Sequence, residues 1–526
     1  MNSKTKKSLV ISGIAGGLIA APIVLTLIPY GIQKALTKND IKINEETMRE
    51  TFTNLLNTTH GRKAGDLNNF KKEVLNYDET RNISRGFKLE GDQKVTTSFI
   101  EQHLLYKLND EANPLNPEHS NYGSYLAYQY LKQQIMDMGY EYRTNGEITY
   151  PDYPQSPSNA KVTIYTEEKD AATVTAMKEN LKLDGFFTQG FLFSTRNSFN
   201  NVGNNLVVTI NPSEKVTKDN TVNVKDFYIV SHYDSANNVG PNGTSWGATD
   251  NASGVSVNLA LLKHFSDIKN RDNLGVRLHL IFVDAEEVGK LGSIAFVNQF
   301  LAGEENELLS NSLGMINMDT VAGGDHMYIH SPDTNTQGKP YNTSPLLRNF
   351  INNISKERAE ELKDADQELK IHPQFVEDEY KAGETGDWSD HAPFYQIAKL
   401  PVAYVESTNF GVKSKYNVYD GYSQTINPKA WVLKDGTTIE SLKERKLENG
   451  EVVYDWPDGM KKEDFAIMGD IWHSDLDTLA WINENVGPRF YKQLNTVFHT
   501  LKTFLEKLHT INEDNTISYP EFNQNQ

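Results

Sequence analysis

From Leu206 onward the chain alternates short runs of β-branched or aromatic residues with segments of helical periodicity. The strand candidates are Leu206–Ile210, Phe227–Val230, Val276–Val283, Gly314–Met318 and Pro401–Val405. Strands that alternate with helices are typical of βαβ units, in which helices cover the faces of a mostly parallel sheet. The sequence therefore predicts an α/β fold with a mixed, mostly parallel sheet flanked by helices.

Several of these strand candidates end at a cluster of polar residues. His232 follows the second run, Glu286 and Glu287 follow the third, and Asp319 follows the fourth. In an open α/β sheet, ligands bind in the crevice beyond the carboxyl ends of the strands. These side chains are therefore predicted to point into one shared site.

A carboxylate also precedes a predicted helix in this region. The helix is expected to begin at about Ser253, and Asp250 stands just ahead of its first turn, where the helix dipole favours a negative charge. Taken alone, such an Asp is usually an N-cap, and a lone histidine after a strand is usually a satisfied polar group. Together these oxygen and imidazole donors predict a site for zinc, cobalt or manganese.

Composition excludes several other functions. With 52 Lys+Arg against 70 Asp+Glu the net charge is −18. The short basic clusters at 4–7 and 443–446 lack interleaved aromatic residues, so nucleic-acid binding is not expected. The chain has no cysteine, which excludes disulfides, thiolate zinc ligands and a cysteine nucleophile.

The first 37 residues predict a membrane anchor. Three lysines precede an uncharged apolar run from Ser8 to about Ile32, and about 20 apolar helical residues suffice to span a bilayer. Because lysines stay on the cytoplasmic side, the catalytic part is expected outside the cytoplasm, on a single-pass signal-anchor in the cell membrane. A cleaved signal, giving a secreted extracellular protein, is the closest alternative, and a buried core helix is another.

Residues 38–97 are polar and are interpreted as a stalk or accessory segment, with one possible amphipathic helix through Met48, Phe52, Leu55 and Leu56. A further helix is predicted from about Tyr122 to Met138. The Pro-rich and charged stretch near 149–190 is interpreted as an insertion.

Six short motifs then follow in the order found in two-zinc aminopeptidases: HYDS (232–235), ATDNASG (248–254), DAEEVGKLGS (284–293), NMDT (317–320), SDHAPF (389–394) and WHSDLDT (472–478). Residues 98–510 resemble that family's catalytic domain, with insertions near 149–190 and 411–468 and a polar tail at 511–526. The resemblance implies a zinc exopeptidase fold, of the phosphorylase/hydrolase-like type. The same group of metallopeptidases includes glutamate carboxypeptidase-like and glutaminyl cyclase-like branches.

The resemblance implies a metal site with two divalent ions, with zinc as the default. His232 and Asp319 resemble the ligands of one ion, and Glu287 and His473 resemble those of the other. Asp250 resembles the carboxylate that bridges them, because a shared anion offsets the repulsion between two cations about 3.5–4 Å apart.

Further roles follow from the same motifs. Glu286 resembles the general base that activates the attacking water. His391 resembles the donor to the tetrahedral oxyanion, or else is a packed loop histidine. Asp234 and Asp477 are candidate acceptors that would orient the imidazoles of His232 and His473. Asn251 departs from relatives that carry a second Asp after the bridging residue.

The predicted function is a metal-dependent hydrolase, an exopeptidase and in the first place an aminopeptidase that acts as a protease on peptide substrates. The alternatives are a single-zinc glutaminyl cyclase-like acyltransferase, a carboxypeptidase specific for acidic residues, and a membrane-tethered homologue without catalysis. The carboxypeptidase would need a basic pocket, and no arginine cluster lies near the motifs. The insertion at 411–468 is a candidate lid over the substrate cleft.

Overall fold

The computed structural model describes residues 45–46, 48–56, 62, 64, 77–78, 83–84, 123–143, 161–163, 171–195, 198–217, 224–236, 245–303, 306–332, 345–372, 384–513 and 516–522. Among these residues, no helix combines the length and apolar character needed to cross a bilayer. The apolar run at 8–32 lies outside the described residues, so the anchor stays a prediction.

A mixed nine-stranded sheet forms the centre of the described fold. In chain order its strands are β1 Lys161–Thr163, β2 Gly185–Thr195, β3 Ser198–Ile210, β4 Asp226–His232, β5 Arg277–Val283, β6 Ser312–Met318, β7 His326–His330, β8 Leu369–Ile371 and β9 Val402–Thr408. Across the sheet they lie in the order β8-β7-β9-β6-β4-β5-β3-β2-β1. Strands β9, β6, β4 and β5 are parallel, and β7 and β3 are antiparallel to this group.

Helices cover both faces of this sheet. In chain order they are α1 Gly123–Asp137, α2 Ala171–Asn180, α3 Ser253–Ser266, α4 Leu291–Phe300, α5 Glu307–Asn311, α6 Leu346–Leu362, α7 His391–Gln396, α8 Leu479–Asn485 and α9 Pro488–Lys507. Successive strand residues face opposite sides, so Ile229 packs with α1, α3, α6 and α9, whereas Tyr228 and Val230 pack with α2, α4 and α7. The predicted α/β class with a largely parallel central sheet is confirmed.

The burial of the central strands explains why their sequences could be recognised as strands. All seven residues of β4 are buried, as expected where helices cover both faces of a parallel sheet. Each of the five predicted strands is present, and α1 and α3 begin within one residue of their predicted starts. Gly139, with a φ of 90°, follows α1 closely and ends it.

Strand β3 begins earlier than its apolar run indicated. Its first half is rich in asparagine, yet it pairs with β2, which begins inside the segment interpreted as an insertion. The buried amide of Asn205 is satisfied, because its Nδ2 donates to Gln189 Oε1 at 2.9 Å and to Gly292 O at 2.8 Å. A strand whose buried residues are polar but hydrogen-bonded lacks the apolar pattern on which sequence prediction relies.

Residues 48–56 form a helix that belongs to the main core. Its apolar residues are 0–1% exposed, and the ring of Phe52 lies 4.8 Å from that of Phe490 at the start of α9. The amphipathic pattern was identified correctly, but this part of residues 38–97 packs into the domain and is not a separate stalk.

The segment 411–468 forms two small antiparallel sheets. Strand β10 Trp431–Leu433 pairs with β13 Phe465–Met468, and β11 Lys443–Lys446 pairs with β12 Val452–Asp455. Trp431 is at the centre of a separate cluster with Phe465 and Met468, and its Nε1 donates to Thr425 O at 2.9 Å. Two further pairs, Tyr77–Asp78 with Ile83–Ser84 and Thr510–Ile511 with Ile517–Ser518, lie outside the main sheet.

Truncating Phe52 tests whether the N-terminal helix is part of the domain. We expect Phe52→Ala to lower the free energy of unfolding by about 3–5 kcal/mol, because it empties a fully buried aromatic site. Urea unfolding monitored by circular dichroism measures the change. Asn54→Ala, an exposed position on the same helix, is the control, and equal midpoints for the two variants would show that the helix is peripheral.

Candidate metal centre

The carboxyl ends of three parallel strands bring the candidate ligands together. His232 is the last residue of β4, Asp319 directly follows β6, and Glu287 lies in the loop after β5. Asp250 lies in the short turn Ala248–Ala252 ahead of α3, and His473 lies in the loop ahead of α8. The sheet order β6-β4-β5 places the strand-borne residues side by side, as the strand-end argument predicted.

Two groups of donor atoms share one carboxylate. In the first group, His232 Nε2 lies 3.2 Å from Asp250 Oδ1 and 3.3 Å from Asp319 Oδ1. In the second, His473 Nε2 lies 3.1 Å from Asp250 Oδ2 and 2.9 Å from Glu287 Oε2. Each oxygen of Asp250 therefore belongs to a different group.

The donor atoms fit divalent metal ions. Ligands bound about 2.1 Å from a tetrahedral zinc ion are about 3.4 Å from one another, close to the separations in both groups. Glu287 Oε1 is also buried and accepts no hydrogen bond from the residues that the structure describes. A buried carboxylate oxygen without a partner is costly, and a cation between the donors would satisfy it.

The carboxylates around the two imidazoles also favour a bound cation. Burial opposes a charge on His473, but the carboxylates of Glu287 and Asp250 raise its pKa to about 12. Burial likewise opposes a charge on His232, and Asp319, Asp234 and Asp250 raise its pKa well above the usual value. Without metal, protons on the imidazoles offset the carboxylates, and a metal ion would displace those protons.

Asp234 links the first ligand to the Glu286–Glu287 pair. Its carbonyl oxygen lies 3.2 Å from His232 Nδ1, so it accepts from that nitrogen when the nitrogen carries a proton. Its carboxylate accepts from the backbone N–H groups of Glu286 at 3.1 Å and Glu287 at 3.2 Å. Ala285, with a φ of 61°, makes the turn that leads into the pair. One residue thus orients an imidazole and both glutamates.

Asp477 has a different partner from the one predicted. Its Oδ1 accepts from Thr249 N at 2.5 Å and Thr249 Oγ1 at 2.9 Å, and its Oδ2 accepts from Asp250 N at 3.3 Å. It therefore holds the turn that carries Asp250, whereas the prediction paired it with the imidazole of His473. Spacing within a motif does not reveal which of two adjacent loops a carboxylate faces.

Ser389 is a supporting residue that the sequence analysis did not single out. Its Oγ donates to Asp319 Oδ2 at 2.7 Å and accepts from Asn317 Nδ2 at 2.7 Å. Asn251 similarly joins the turn to the end of β6, because its Nδ2 donates to Met318 O at 2.8 Å. The only signal for Ser389 was its place in the SDHAPF motif.

A cavity of about 360 Å³ opens beside the candidate ligands. Trp388, Tyr404, Tyr422 and Trp472 give it aromatic walls, and Glu286, Glu406 and Asp420 contribute carboxylates in addition to Asp250 and Asp319. Within the described part of the chain, neither Lys nor Arg is among the lining residues. The cavity is therefore lined by five carboxyl groups and by the imidazole of His473.

The segment 411–468 and its flanking loop supply one wall of this cavity and are tied to the loop of His473. Gln424 Oε1 accepts from the backbone N–H groups of Ile471 at 3.1 Å and Trp472 at 2.8 Å. Trp472 Nε1 donates to Tyr422 O at 3.0 Å. The segment therefore borders the cleft, and it also supports the loop of His473.

His391 does not lie in the cavity. It is fully buried, its Nε2 is 2.8 Å from Gly386 O, and burial lowers its pKa to about 3. Its ring stacks on Tyr404, with centroids 4.8 Å apart. The packed-histidine alternative describes this position, and Tyr404, on which His391 stacks, is one of the two tyrosines that line the cavity. Burial and the nearby Glu406 raise the pKa of Tyr404 well above its usual value, so it keeps its proton.

Comparison with known proteins identifies the family. Residues 205–493, more than half of the chain, match the sequence profile of Peptidase family M28. The chain belongs to this family, and the predicted resemblance is confirmed. The N-terminal part, including residues 48–56 and Arg62, lies outside the matched range.

The individual relatives share only a small fraction of their sequence with this chain. The "Glutamate carboxypeptidase 2 homolog" of Caenorhabditis elegans is 26% identical over 191 residues, which are 34% of this chain and 23% of that protein. BSAP, a zinc aminopeptidase from Bacillus subtilis, is 19% identical over 58% of this chain and 51% of its own, with a TM-score of 0.33. Glutaminyl cyclase from Porphyromonas gingivalis is 14% identical over 72% and 96%, with a TM-score of 0.37. Sequence identities and TM-scores at this level do not show whether this chain is an aminopeptidase, a carboxypeptidase or a glutaminyl cyclase.

Metal addition and removal test the centre directly. We expect Zn²⁺ to raise the Tm by several degrees and EDTA to reverse the shift, because ligand at 100-fold excess over its Kd stabilises a protein by about 2.7 kcal/mol. Asp250→Ala removes an oxygen from both donor groups and should abolish the response. Asp267→Asn, at the cap of an exposed turn, should respond like the wild type. A wild-type shift in the Asp250 variant would contradict the assignment.

Proposed function

We propose that this member of peptidase family M28 is a metal-dependent exopeptidase, and specifically an aminopeptidase with two divalent ions. The observation that carries the proposal is the charge of the cavity. An aminopeptidase must bind the positive α-ammonium group of a peptide, whereas a carboxypeptidase must bind a negative carboxylate. Two bound ions would offset the charge of Asp250 and Asp319, but Glu406 and Asp420 would remain beside them, and neither Lys nor Arg is among the described lining residues. This arrangement favours the ammonium group by Coulomb attraction.

The ligand assignment follows from the two donor groups. His232 and Asp319 would hold one ion, Glu287 and His473 the other, and the two oxygens of Asp250 would serve both. Bound ions at these positions would supply Lewis acidity, which polarises the scissile carbonyl and lowers the pKa of water.

Glu286 would move the proton in this mechanism. It is partly exposed and lines the cavity, and its backbone is held by Asp234. Burial raises its pKa well above the usual value, and Asp390 and Glu287 add to that effect. With metal bound, its carboxylate would accept a proton from the attacking water and return it to the leaving amine.

Tyr404 takes the role that the sequence assigned to His391. In the structure its hydroxyl group donates to Glu406 Oε2 at 3.2 Å. The hydroxyl group keeps its proton because the pKa of Tyr404 is raised. A neutral donor in the cavity stabilises negative charge as it develops on the carbonyl oxygen. The aromatic walls offer apolar contact to the N-terminal side chain of the substrate.

Glu286→Gln separates metal binding from catalysis. We expect elemental analysis to find two metal ions per chain in both the wild type and the variant, since Glu286 is not a ligand. We expect kcat to fall by about 10²–10⁴-fold, because the proton acceptor is lost. Glu440→Gln, at an exposed position of the segment 411–468, is the matched control. Full activity in Glu286→Gln would remove Glu286 from the mechanism.

Blocking each end of a peptide decides which terminus is recognised. We expect N-acetylation of a short peptide to lower kcat/KM by more than about 100-fold, since it removes the charge that the acidic cavity binds, whereas C-terminal amidation should change it little. Release of amino acids is followed by mass spectrometry. The reverse pattern would identify a carboxypeptidase. One metal ion per chain with cyclisation of N-terminal glutamine would identify the cyclase.

A further inference from the structure

Arg62 is a buried cation beneath the metal centre that the sequence motifs do not include. It belongs to the segment interpreted as a stalk and precedes the matched family range. Its relative exposure is 0%, and it is among the largest fully buried side chains in the described residues. A charged side chain is almost never buried to this extent unless its hydrogen bonds are satisfied.

One set of contacts ties Arg62 to the loop that follows His232. Its Nε donates to Tyr233 O at 2.6 Å. Its backbone N–H donates to Ser235 Oγ at 2.8 Å, and Ser235 N donates back to Arg62 O at 2.9 Å. The position of this loop is therefore fixed within three residues of the first ligand.

A second set ties the same guanidinium to the segment ahead of Asp250. Nη1 donates to Trp246 O and Nη2 to Gly247 O, both at 2.7 Å. Gly247 has a φ of 65°, and a Cβ at that position would lie 2.4 Å from Nη2. Glycine thus provides both the left-handed backbone and the space that the guanidinium occupies.

The charge of Arg62 also faces the acidic centre. Burial lowers its pKa to about 10, while Asp477, Asp234, Asp250 and Glu287 favour the charged form. The guanidinium therefore stays protonated at neutral pH and offsets part of the repulsion among these carboxylates. Arg62 is not among the residues that line the cavity.

We propose that Arg62 is a positioning residue of the metal centre, which fixes the loop of His232 against the turn of Asp250 so that the first donor group is formed before metal binds. A guanidinium suits this task because its planar fork presents donors in several fixed directions, whereas an ammonium group is a compact point charge. The inference rests on the metal centre of the proposed function, and it does not depend on which peptide end is cleaved.

Metal affinity tests the proposal without relying on turnover. The Zn²⁺ Kd is measured by competition with a chromophoric chelator for the wild type, Arg62→Lys and Arg62→Met. We expect Kd to rise about 10–100-fold, the usual cost of losing support behind a ligand, and to rise less for Lys, which keeps the charge. At saturating Zn²⁺, kcat should recover in part and KM should stay unchanged, since Arg62 does not contact the cavity.

A further variant separates positioning from general packing. Arg49→Met is the matched control, because Arg49 belongs to the same N-terminal segment and lies over Tyr491, at 3.6 Å from the ring centre. It should keep the wild-type Kd. The Tm of each protein in EDTA reports its metal-free stability.

Each outcome bears on one claim. Wild-type Kd values in folded Arg62→Lys and Arg62→Met would overturn the inference, even if the Tm in EDTA fell, because the role would then be structural. If Arg62→Met does not fold, a wild-type Kd in Arg62→Lys overturns it equally. A wild-type protein that binds no divalent metal would overturn the proposed function itself.

Discussion

Repulsion among buried carboxylates is the constraint around which this site is built. Asp250, Glu287 and Asp319 lie at one edge of a sheet with only two imidazoles between them. Like charges at such distances in a poorly hydrated site cannot all persist without cations. The surrounding structure supplies that compensation, with Asp234 and Asp477 held by backbone N–H groups, Ser389 donating to Asp319, and a buried guanidinium beneath.

The parallel strands and the strand-end residues were predictable because each depends on a local pattern. A strand covered on both faces must be apolar throughout, so β4, β5 and β6 stand out, and the polar residue that follows each strand must lie at the same edge. The motifs added His473, which periodicity alone does not connect to the sheet, and the bridging role of Asp250, which the pattern had already placed ahead of a helix.

Other features depend on contacts between distant parts of the chain, and no local pattern reveals them. Arg62 reaches loops more than 170 residues away, yet in the sequence it is an ordinary polar residue. Asp477 was assigned a partner by spacing and His391 a role by resemblance, whereas their surroundings are set by how α7 and the loop ahead of α8 pack. The amphipathic helix at 48–56 shows an apolar stripe that would look the same in a stalk or in a core.

The bond between Gln424 and the loop of His473 has a consequence for how this domain can diversify. Segments inserted into an α/β scaffold are often regarded as modules that change substrate specificity and leave the catalytic residues of the scaffold unchanged. Here one amide side chain joins the cavity wall to the backbone beside a ligand. Replacing the segment with a foreign one of equal length would disturb the loop of His473 together with the pocket. The shape of the pocket and the candidate metal centre are therefore coupled through one side chain.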